Sequence, residues 1–512
     1  MSQPIRVRLH GCLECQSPLH VGSGEREAVV KRDRAAPPGQ LEKEKGDFDA
    51  VCVTGGDSPR PYLPATTLRG FLRAQLAGGE RQALRKRLFG YVEEHPGEPD
   101  GQKKAWAGKV RVYNALLRDD AVPRAAPGIV GNRLWRRGSL IRQNVALDPL
   151  TLTADAHRLF SYEYLPTGSR FGLTLELEDP GQDDLASLLG LLDAWDGGVG
   201  SAVGRGTGRL QGRLRWTLER VEALDLAGLD AWLNSDRPLD ECFQTLQAIP
   251  APQALAKPAP KPVPFRIHAL APVLVNDPGQ VKRRPKDGGP QENENAPSLE
   301  YSRAPDGRPA LPASSLRGVA RGRARRILAT LLAGRGLRPT QATGQAETLA
   351  KQVFGQEDRR GLVWIGDAVQ TPLPSEEGGE ARAALPHPQH FNAIDRFTGG
   401  VADGKLYNVN AQDGGVYAGE LALEAEKLED WSRGLLLLVL RDALEGDLTV
   451  GWGKARGYGA FRLALQSKGR WIADWPGLLA ELGRPQAQTW IDALHRQIQQ
   501  TAAALQQNEA QP

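Results

Sequence analysis

The hydrophobic pattern predicts strands and helices in the same order twice along the chain. Apolar and polar residues alternate over residues 5–9 and again over 265–270, which is the period of a strand with one buried face. Each alternating segment is followed by a polar stretch and then by a helical pattern, at about residues 68–76 and 316–332. Further strand-like segments, a second helix and a closing strand follow in each half. Strands interleaved with two helices predict an α+β fold, with a ferredoxin-like core in each half.

Four short motifs recur in the same order in the two halves. Tyr-Leu-Pro-Ala-Thr-Thr-Leu-Arg-Gly begins at residue 62, and Ala-Leu-Pro-Ala-Ser-Ser-Leu-Arg-Gly begins at residue 310. The remaining matches pair residues 88–90 with 353–355, 108–115 with 361–368, and 200–208 with 451–459. A shared order with similar offsets indicates an internal duplication.

A Pro/Ala-rich stretch at residues 246–264 lies between the two copies and has the composition of an extended linker. We therefore predict a first domain at residues 1–245 and a second at 265–465. Residues 466–512 have no counterpart in the first half, and their apolar spacing predicts a C-terminal helical extension.

Charge and cysteine usage narrow the possible classes of protein. The 512 residues contain 65 Lys and Arg against 61 Asp and Glu, so a surface for nucleic acid has to come from local clustering of charge. The sequence has no apolar run long enough for a membrane span, and we expect a cytoplasmic location because the four cysteines are too few for a disulfide scaffold. Cys12 and Cys15 have zinc-ligand spacing but no second pair, which favours two buried thiols.

The start of the first helix in each half has the residue types of an anion site. Hydroxyl side chains and free backbone N–H groups favour a phosphate, and an arginine follows in the first turn. Plain capping by hydroxyls is the alternative, but capping needs neither the arginine nor the glycine after it, which we expect to allow close approach of another backbone. The predicted RNA-binding residues are Thr66, Thr67 and Arg69 in the first half, and Ser314, Ser315 and Arg317 in the second.

Glycine-rich loops late in each half are a second pair of candidate anion sites. Arg205 opens one Arg-Gly-x-Gly stretch and Arg456 opens the other, with Lys454 two residues earlier. Backbone N–H groups of such loops can line a concave nest for phosphate, although a tight turn before the last strand is the alternative. Basic residues at 31–34 and 282–286, and a Trp-containing basic stretch at 132–138, add local positive charge for an RNA backbone.

These motifs resemble those of the RAMP superfamily of CRISPR proteins. The resemblance rests on Pro-Leu-His-Val-Gly-Ser-Gly at residues 18–24, on the two helix-start motifs, on Ala-Ile-Asp-Arg-Phe-Thr-Gly-Gly at 393–400 and on the glycine loops. Within that superfamily, the chain resembles the backbone subunits of type III effector complexes. Two such domains on one chain resemble the fused double-backbone subunit of type III-D complexes.

The resemblance implies a function and a set of partners. Backbone subunits of this family bind the guide RNA (crRNA) along the ferredoxin-like core, and an inserted thumb hairpin kinks the guide. The thumbs would fall within residues 119–159 and 381–415. The family acts as an endoribonuclease on complementary single-stranded target RNA, with Mg²⁺ or another divalent cation. It works beside a large polymerase-like subunit, other backbone subunits and a small subunit.

The same resemblance implies a catalytic Asp on the loop between strand one and helix one. Asp49 lies at the matching distance from the helix-start motif and is the predicted catalytic and metal-binding residue, with Asp47 as the next candidate. The second half has no Asp there, and Glu300 is the nearest carboxylate. His20 and His157 are possible helpers. A non-catalytic structural backbone subunit and a guide-processing RAMP ribonuclease are the alternatives to target cleavage.

Overall fold

In the computed structural model, the described residues are 4–31, 42–55, 59–93, 104–118, 139–147, 154–255, 257, 259–277, 299–356, 358–371, 385–402 and 407–509. Within these ranges, strands and helices follow one another in two similar series and end in two further helices.

The first series is β1 (Arg6–Cys15), β2 (Gly22–Lys31), β3 (Glu42–Val51), β4 (Tyr62–Leu63), α1 (Ala65–Gln75), α2 (Gln82–Phe89), β5 (Tyr91–Glu93), β6 (Lys104–Trp106), β7 (Val110–Val112), β8 (Ala115–Leu117), β9 (Leu140–Leu147), β10 (Ala154–Tyr164), β11 (Arg170–Glu178), α3 (Asp184–Leu192), β12 (Leu214–Leu224), α4 (Leu226–Leu233) and β13 (Gln244–Thr245).

The second series is β14 (Val263–Ala269), β15 (Leu299–Glu300), β16 (Ala310–Leu311), α5 (Ala313–Ala333), α6 (Pro339–Phe354), β17 (Val363–Ile365), β18 (Ala368–Thr371), β19 (Leu385–Phe391), β20 (Tyr407–Asp413), β21 (Val416–Leu423), α7 (Asp430–Glu445), β22 (Leu448–Thr449), β23 (Ala460–Ser467) and β24 (Arg470–Ile472). The chain continues into α8 (Trp475–Leu482) and α9 (Arg484–Glu509).

Each half builds a ferredoxin-like antiparallel sheet. In the first half, β12, β1 and β11 lie side by side, and β7 and β8 both pair with β11. In the second half, β23, β14 and β21 lie side by side, and β17 and β18 both pair with β21. Counting the core strands in chain order, both sheets have the order 4-1-3-2. The predicted α+β fold with two tandem domains is confirmed.

A smaller sheet accompanies each core. It has the strand order β2-β3-β10-β9 in the first domain and β15-β20-β19 in the second. In both, one pairing is parallel: β3 with β10, and β15 with β20. Residues 119–138, 148–153, 381–384 and 403–406 of the predicted thumbs lie outside the described residues, and the described parts supply strands β9, β10, β19 and β20.

The core of the first domain lies between its sheet and its helices. The alternation predicted for the first strand is present, since Val7, Leu9 and Leu13 of β1 are buried. Cys12 and Cys15 are free and buried, as is typical of structural thiols, and burial raises the pKa of both. No helix in the described part of the chain has the length and apolar character needed to cross a membrane.

The Pro/Ala stretch packs along the first domain. The Gln253 N–H donates to the Ala186 carbonyl at 2.9 Å, and Leu255 is buried while its carbonyl accepts from Arg81 at 2.5 Å. Helix α3 comes so close that a Cβ on Gly190 would overlap the carbonyl of Gln253. The segment that the composition predicted to be an extended linker is therefore packed against α3 of the first domain.

The two domains contact each other directly. Arg142 of β9 pairs with Asp367 at 3.0 Å, and Arg213 pairs with Glu420 at 2.9 Å. Between these ion pairs, Leu210 packs in a buried cluster with Trp364 of the second domain. The described contact between the domains thus consists of partly buried ion pairs beside an apolar cluster.

Candidate nucleic-acid interface and the first-domain carboxylate site

The hydroxyl side chains at the two helix starts are not N-caps. Helices α1 and α5 begin at Ala65 and Ala313, so Pro64 and Pro312 occupy the N-cap positions, and neither makes a side-chain cap. The paired Thr and Ser residues are therefore the second and third residues of each helix, which corrects the predicted capping role. Proline suits the position because it has no N–H to satisfy and the extended conformation there accommodates its fixed φ.

The first helical N–H group is capped from the short connection between two strands of the core sheet. The Ala65 N–H donates to Asn114 Oδ1 at 2.8 Å, and the Ala313 N–H donates to Asp367 Oδ1 at 2.7 Å. Asn114 and Asp367 are thus equivalent, and they are the second-last residues of the matching motifs at 108–115 and 361–368. The repeat of an Asx residue before Ala was the available sequence signal for this cap.

The outer side of each helix start is open. Thr66 and Ser314 are exposed, whereas Thr67 and Ser315 are half-buried. The glycine after the arginine was expected to admit another backbone, but a Cβ there would meet nothing within 4 Å in either domain. The side beside both glycines is therefore uncovered by described residues, although at the second helix start the Ser314 hydroxyl lies 3.4 Å from Asn144 Oδ1 of the first domain.

Arg69 and Arg317 turn toward the protein and bond to the end of the next helix. Arg69 donates to the carbonyl of Phe89, the last residue of α2, and Arg317 donates to the carbonyl of Phe354, the last residue of α6. The final carbonyls of a helix lack intrahelical donors, so each guanidinium stabilises a helix C-terminus. Burial lowers the pKa of Arg317. The contact with the helix end is a sufficient structural reason for an arginine at this position in both domains. The predicted contact with an RNA phosphate stays a prediction.

The glycine loops of the two domains have the same hydrogen-bond frame. In the first, the Gly206 carbonyl accepts from the N–H groups of Arg209 and Gln211 at 2.7 and 3.2 Å. In the second, the Gly453 carbonyl accepts from Arg456 and Tyr458 at the same two distances.

This frame corrects the sequence match between residues 200–208 and 451–459, which is out of register by four residues. Arg456 corresponds to Arg209, and the counterpart of Arg205 is Trp452. The corrected register also pairs Gly204 with Gly451, and both positions require glycine. Their φ values are +74° and +85°, and a Cβ on either would overlap a backbone carbonyl. Because glycine recurs every second residue here, the sequence alone permits several registers.

Asp49 lies in strand β3, opposite Tyr162 in the parallel pairing with β10. It is on a strand and not on the expected loop, although β3 does lie between β1 and α1. The Arg205 Nη1 atom lies 2.5 Å from Asp49 Oδ2, and the Arg26 Nε atom lies 3.5 Å from Oδ1. The Asp49 side chain is 35% exposed, so solvent or a ligand reaches it. The side chain of Asp47 lies outside the described residues.

Aromatic rings hold Arg205 beside Asp49. The guanidinium carbon lies 5.2 Å from the ring centres of both Phe160 and Tyr162, within cation–π range. The Arg205 N–H also donates to the His20 carbonyl at 2.9 Å. Arg205 is therefore positioned at both its backbone and its side chain.

His20 is buried next to this pair. Its Nδ1 lies 2.5 Å from the carbonyl oxygen of Glu163, which fixes the tautomer with the proton on Nδ1. Burial lowers the pKa of His20, and the nearby charge of Arg205 acts in the same direction. A Cβ on Gly22 would come within 2.9 Å of Nε2, so glycine is required beside the imidazole. The side chain of His157, the other candidate helper, lies outside the described residues.

Glu300 is the structural counterpart of Asp49, in agreement with its place in the sequence. It lies opposite Asn410 in the parallel pairing of β15 with β20. Its surroundings differ, because the carboxylate is 10% exposed and accepts from Asn410 Nδ2 at 2.9 and 3.0 Å, with Arg303 at 3.6 Å. Burial raises the pKa of Glu300. It is enclosed by its own domain and is a poor candidate for contact with RNA.

The second loop stands in an aromatic cluster. Arg456 lies over the rings of Tyr407 and Trp452, with its guanidinium carbon 5.8 and 5.4 Å from the ring centres, and it donates to the Tyr407 hydroxyl. Lys454 is half-buried, and burial lowers its pKa. Aromatic rings beside cations are the surface on which single-stranded bases stack.

A resident divalent cation does not fit the described residues around Asp49. Across the described residues, no group of three or more His, Cys, Asp or Glu side chains is arranged to hold a metal ion. Both oxygens of Asp49 face a guanidinium group, and a cation there would be repelled by Arg26 and Arg205.

A family model described as RAMPs, the RAMP superfamily, matches residues 12–211 and 266–462. The chain belongs to the RAMP superfamily. Each matched region begins in the first core strand, β1 or β14, and ends at the glycine loop or in the closing strand after it. Membership supports a CRISPR-associated role in RNA binding. No curated protein matches the chain.

In this RAMP protein, the first glycine loop lies at the helix start of the second domain. Arg360 donates to the Thr207 carbonyl at 3.3 Å, and the positive charge of Arg209 acts on Arg317 to lower its pKa. The junction therefore brings together one of the predicted loops and one of the predicted helix starts. Arg209, which the sequence pattern did not single out, is a loop residue whose charge acts on Arg317 of that helix start.

Proposed function

We propose that this RAMP protein is a guide-RNA-binding backbone subunit of a type III CRISPR effector complex. Two domains of the superfamily on one chain support repeated contact with a single RNA. The motifs shared with type III backbone subunits support the assignment to that complex. The large polymerase-like subunit, the small subunit and further backbone subunits are then its partners.

The surface proposed for the guide runs over the junction between the domains. Arg209, Arg317 and Arg321 place positive charge there, with Arg321 also ion-paired to Glu347 at 2.6 Å. Burial, together with the charges of Arg321 and Arg209, lowers the pKa of Arg317. Such a concentration of like charge is favourable when phosphates neutralise it. The exposed Ser314 hydroxyl and the open side of Gly318 lie on the same helix start.

We further propose that the first domain cleaves the complementary target RNA and the second does not. The observation that carries this proposal is the contrast between Asp49, which is partly exposed, and Glu300, which is enclosed by Asn410 and Arg303. The residues around Asp49 and Glu300 also differ, because the polar neighbours of Asp49 have apolar counterparts near Glu300. His20 and Arg205 of the first domain are replaced by Leu274 and Trp452.

Cleavage uses the 2′-hydroxyl of the target as the nucleophile. This oxygen forms a bond to the adjacent phosphorus while the bond from phosphorus to the 5′ oxygen breaks. Asp49 accepts the proton of the 2′-hydroxyl, and water protonates the leaving 5′ oxygen, which leaves a 2′,3′-cyclic phosphate and a 5′-hydroxyl. Arg205, beside the carboxylate, stabilises negative charge that develops on the phosphate. The divalent cation that the family resemblance implies stays a prediction, and the step written here does not use it, because the described residues around Asp49 do not fit a resident cation.

A structural backbone subunit without cleavage activity is the second candidate. The ion pairs of Asp49 with Arg205 and Arg26 favour it, because a carboxylate in that position also serves simply to hold Arg205. In that case Asp49 is a positioning residue, and RNA binding depends on it.

The test uses the assembled complex with guide RNA and labelled target RNA, with and without EDTA. The proposal predicts site-specific cleavage products with cyclic phosphate ends, lost in the Asp49→Asn complex and kept in the Glu300→Gln complex. Target binding without any cleavage by wild type would establish the structural alternative. Cutting of a guide precursor by the isolated chain would instead establish a processing ribonuclease.

A further inference from the structure

The interface between the two domains could in principle also form between two copies of the chain. The first domain contributes a loop face, which consists of Arg142, Leu210 and Arg213. The second contributes an edge face around the start of α5, which consists of Trp364, Asp367 and Glu420. Because the domains are repeats, the second domain also has a loop face and the first also has an edge face. If these two free faces kept the same side chains, copies of the chain would join end to end by the internal interface.

The free loop face of the second domain has lost both cations of the internal interface. Arg213 follows Gly212, whose N–H donates to the Pro18 carbonyl, and Ala460 follows Gly459, whose N–H donates to Pro272, both at 2.8 Å. Ala460 therefore stands in the place of Arg213.

The other cation is lost in the same way. Arg142 lies opposite Tyr162, and Pro388 lies opposite Asn410, the counterpart of Tyr162. Pro388 therefore stands in the place of Arg142.

The apolar contact of the loop face is lost as well. Leu210 of the first loop is buried against Trp364. By the shared frame of the loops, the residue in its place in the second loop is Gly457. Leu210 and Gly457 share a left-handed backbone, with φ of 53° and 81°, so the turn is preserved while the side chain is absent.

The free edge face of the first domain has lost both acids. Asn114 takes the place of Asp367, as the two helix caps show. Thr174 takes the place of Glu420, because the carbonyls of these two residues accept equivalent N–H groups, at 3.2 and 2.9 Å.

Two charged residues also replace the apolar centre of the edge face. Trp364 lies opposite Ala422, whereas at the same position of the first domain Arg111 lies opposite Glu176. Arg111 is 55% exposed and ion-paired with Glu178, so docking Gly457 over it would remove a charged group from water without supplying a new partner, which costs free energy.

We propose that copies of this chain do not join end to end through the internal interface, so that the chain takes a single place in any assembly it enters. The loop turn and the strand pairing are kept, whereas the residues of the two ion pairs and of the Leu210–Trp364 contact are replaced at both faces. A second copy would bring Ala460 to Thr174 and Pro388 to Asn114, with neither ion pair formed. This inference does not depend on RNA cleavage or on RNA binding.

Sedimentation velocity of the RNA-free 512-residue chain tests the proposal with wild type, two variants and the mixture of the variants. Wild type is expected to remain at the monomer mass of 55.5 kDa over a wide concentration range. A loop-graft variant carries Pro388→Arg, Gly457→Leu and Ala460→Arg. An edge-graft variant carries Arg111→Trp, Asn114→Asp and Thr174→Glu. Each variant alone should stay monomeric, and the mixture should form a 1:1 complex of twice that mass.

A matched control replaces the two edge acids with Asn114→Lys and Thr174→Lys beside Arg111→Trp, and it should not bind the loop graft. Wild type that self-associates through these faces would overturn the proposal. So would a mixture of grafts that stays monomeric although both melt at the wild-type temperature. If a triple variant does not fold, the charge-only pairs, Pro388→Arg with Ala460→Arg and Asn114→Asp with Thr174→Glu, give the same decision.

Discussion

Asp49 and Glu300 occupy the same position in equivalent strand pairs, but only Asp49 is reachable from outside. Asp49 faces Arg205 and Arg26 and is 35% exposed, while Glu300 is 10% exposed and bound by Asn410. A catalytic carboxylate has to be accessible to its substrate. Glu300 is not accessible, because it is buried and hydrogen-bonded to the amide of Asn410. The two domains therefore share a fold while differing in what this position can do.

Asp49→Ala should abolish cleavage at one target position without weakening target binding. The change removes a partly exposed acid, and loss of a general base typically lowers the rate by roughly 10²–10⁴-fold. The measurement is target cleavage on a sequencing gel together with a binding titration of the same complex. An unchanged ladder would exclude Asp49 and leave Asp47 as the next residue to test. Loss of binding along with cutting would show that Asp49 acts by positioning Arg205.

Glu300→Gln should leave cleavage unchanged and should not destabilise the fold at neutral pH. The pKa of Glu300 is raised above 4.5, so its ionisation opposes folding, and that cost is absent below pH 4.5 and grows as the pH rises through the folded pKa. Glutamine avoids this cost. Among the described residues, Asn410 Oδ1 is buried without a hydrogen-bond donor, and a glutamine N–H can supply one. Chemical denaturation at pH 4 and pH 7 should show the variant gaining relative to wild type only at pH 7.

Arg317→Met should lower stability more than it lowers RNA affinity. The guanidinium donates to the last carbonyl of α6, and leaving a buried carbonyl without its donor costs about 1–3 kcal/mol. The check is a denaturant melt beside RNA binding at several salt concentrations. A fall in the salt slope by about one unit, with unchanged stability, would instead establish the phosphate contact predicted from the sequence.

Lys454→Gln should lower the salt slope of RNA binding by about one unit while leaving stability nearly unchanged. Lys454 is half-buried, and burial lowers its pKa, so a phosphate that joins it recovers part of the cost of burying the charge. Gln466→Ala, on β23 of the same domain, is a control for general effects of substitution. Equal salt slopes for wild type and Lys454→Gln would remove this residue from the RNA surface.

The sequence predicted the duplication and the α+β core because both depend on local pattern. Alternation over β1 and β14 and the motifs at the helix starts are read from a few neighbouring residues. The equivalence of Asp49 and Glu300 was also accessible, since it rests on distance from a shared motif. Their difference was not, because Asn410 lies 110 residues beyond Glu300 and reaches it only through the parallel pairing of β15 with β20.

Other features of the site depend on tertiary contacts that no local pattern contains. The partner of Arg69 is the carbonyl of Phe89, a backbone atom with no signature in the sequence. The register of the glycine loops is fixed by hydrogen bonds to residues near 18 and 272, and repeated glycines hide it. Asn114 is the exception, since an Asn or Asp recurs at the same position of both matching motifs, and that recurrence is a sequence signal for the helix cap.

His20 should make the stability of the first domain fall as the pH drops below 6.5. Burial lowers its pKa in the folded chain, so above pH 6.5 the imidazole is neutral in both states and folding is unaffected by it. Below that value the unfolded chain takes up the proton first, and the free energy of unfolding falls by at most about 1.4 kcal/mol for each pH unit until the folded pKa is reached. His20→Gln should flatten this part of the profile, whereas His495→Gln, at an exposed position on α9, should leave it as in wild type. Denaturant midpoints measured between pH 7.5 and pH 5 decide the matter, and a slope that survives in His20→Gln would assign it to another group.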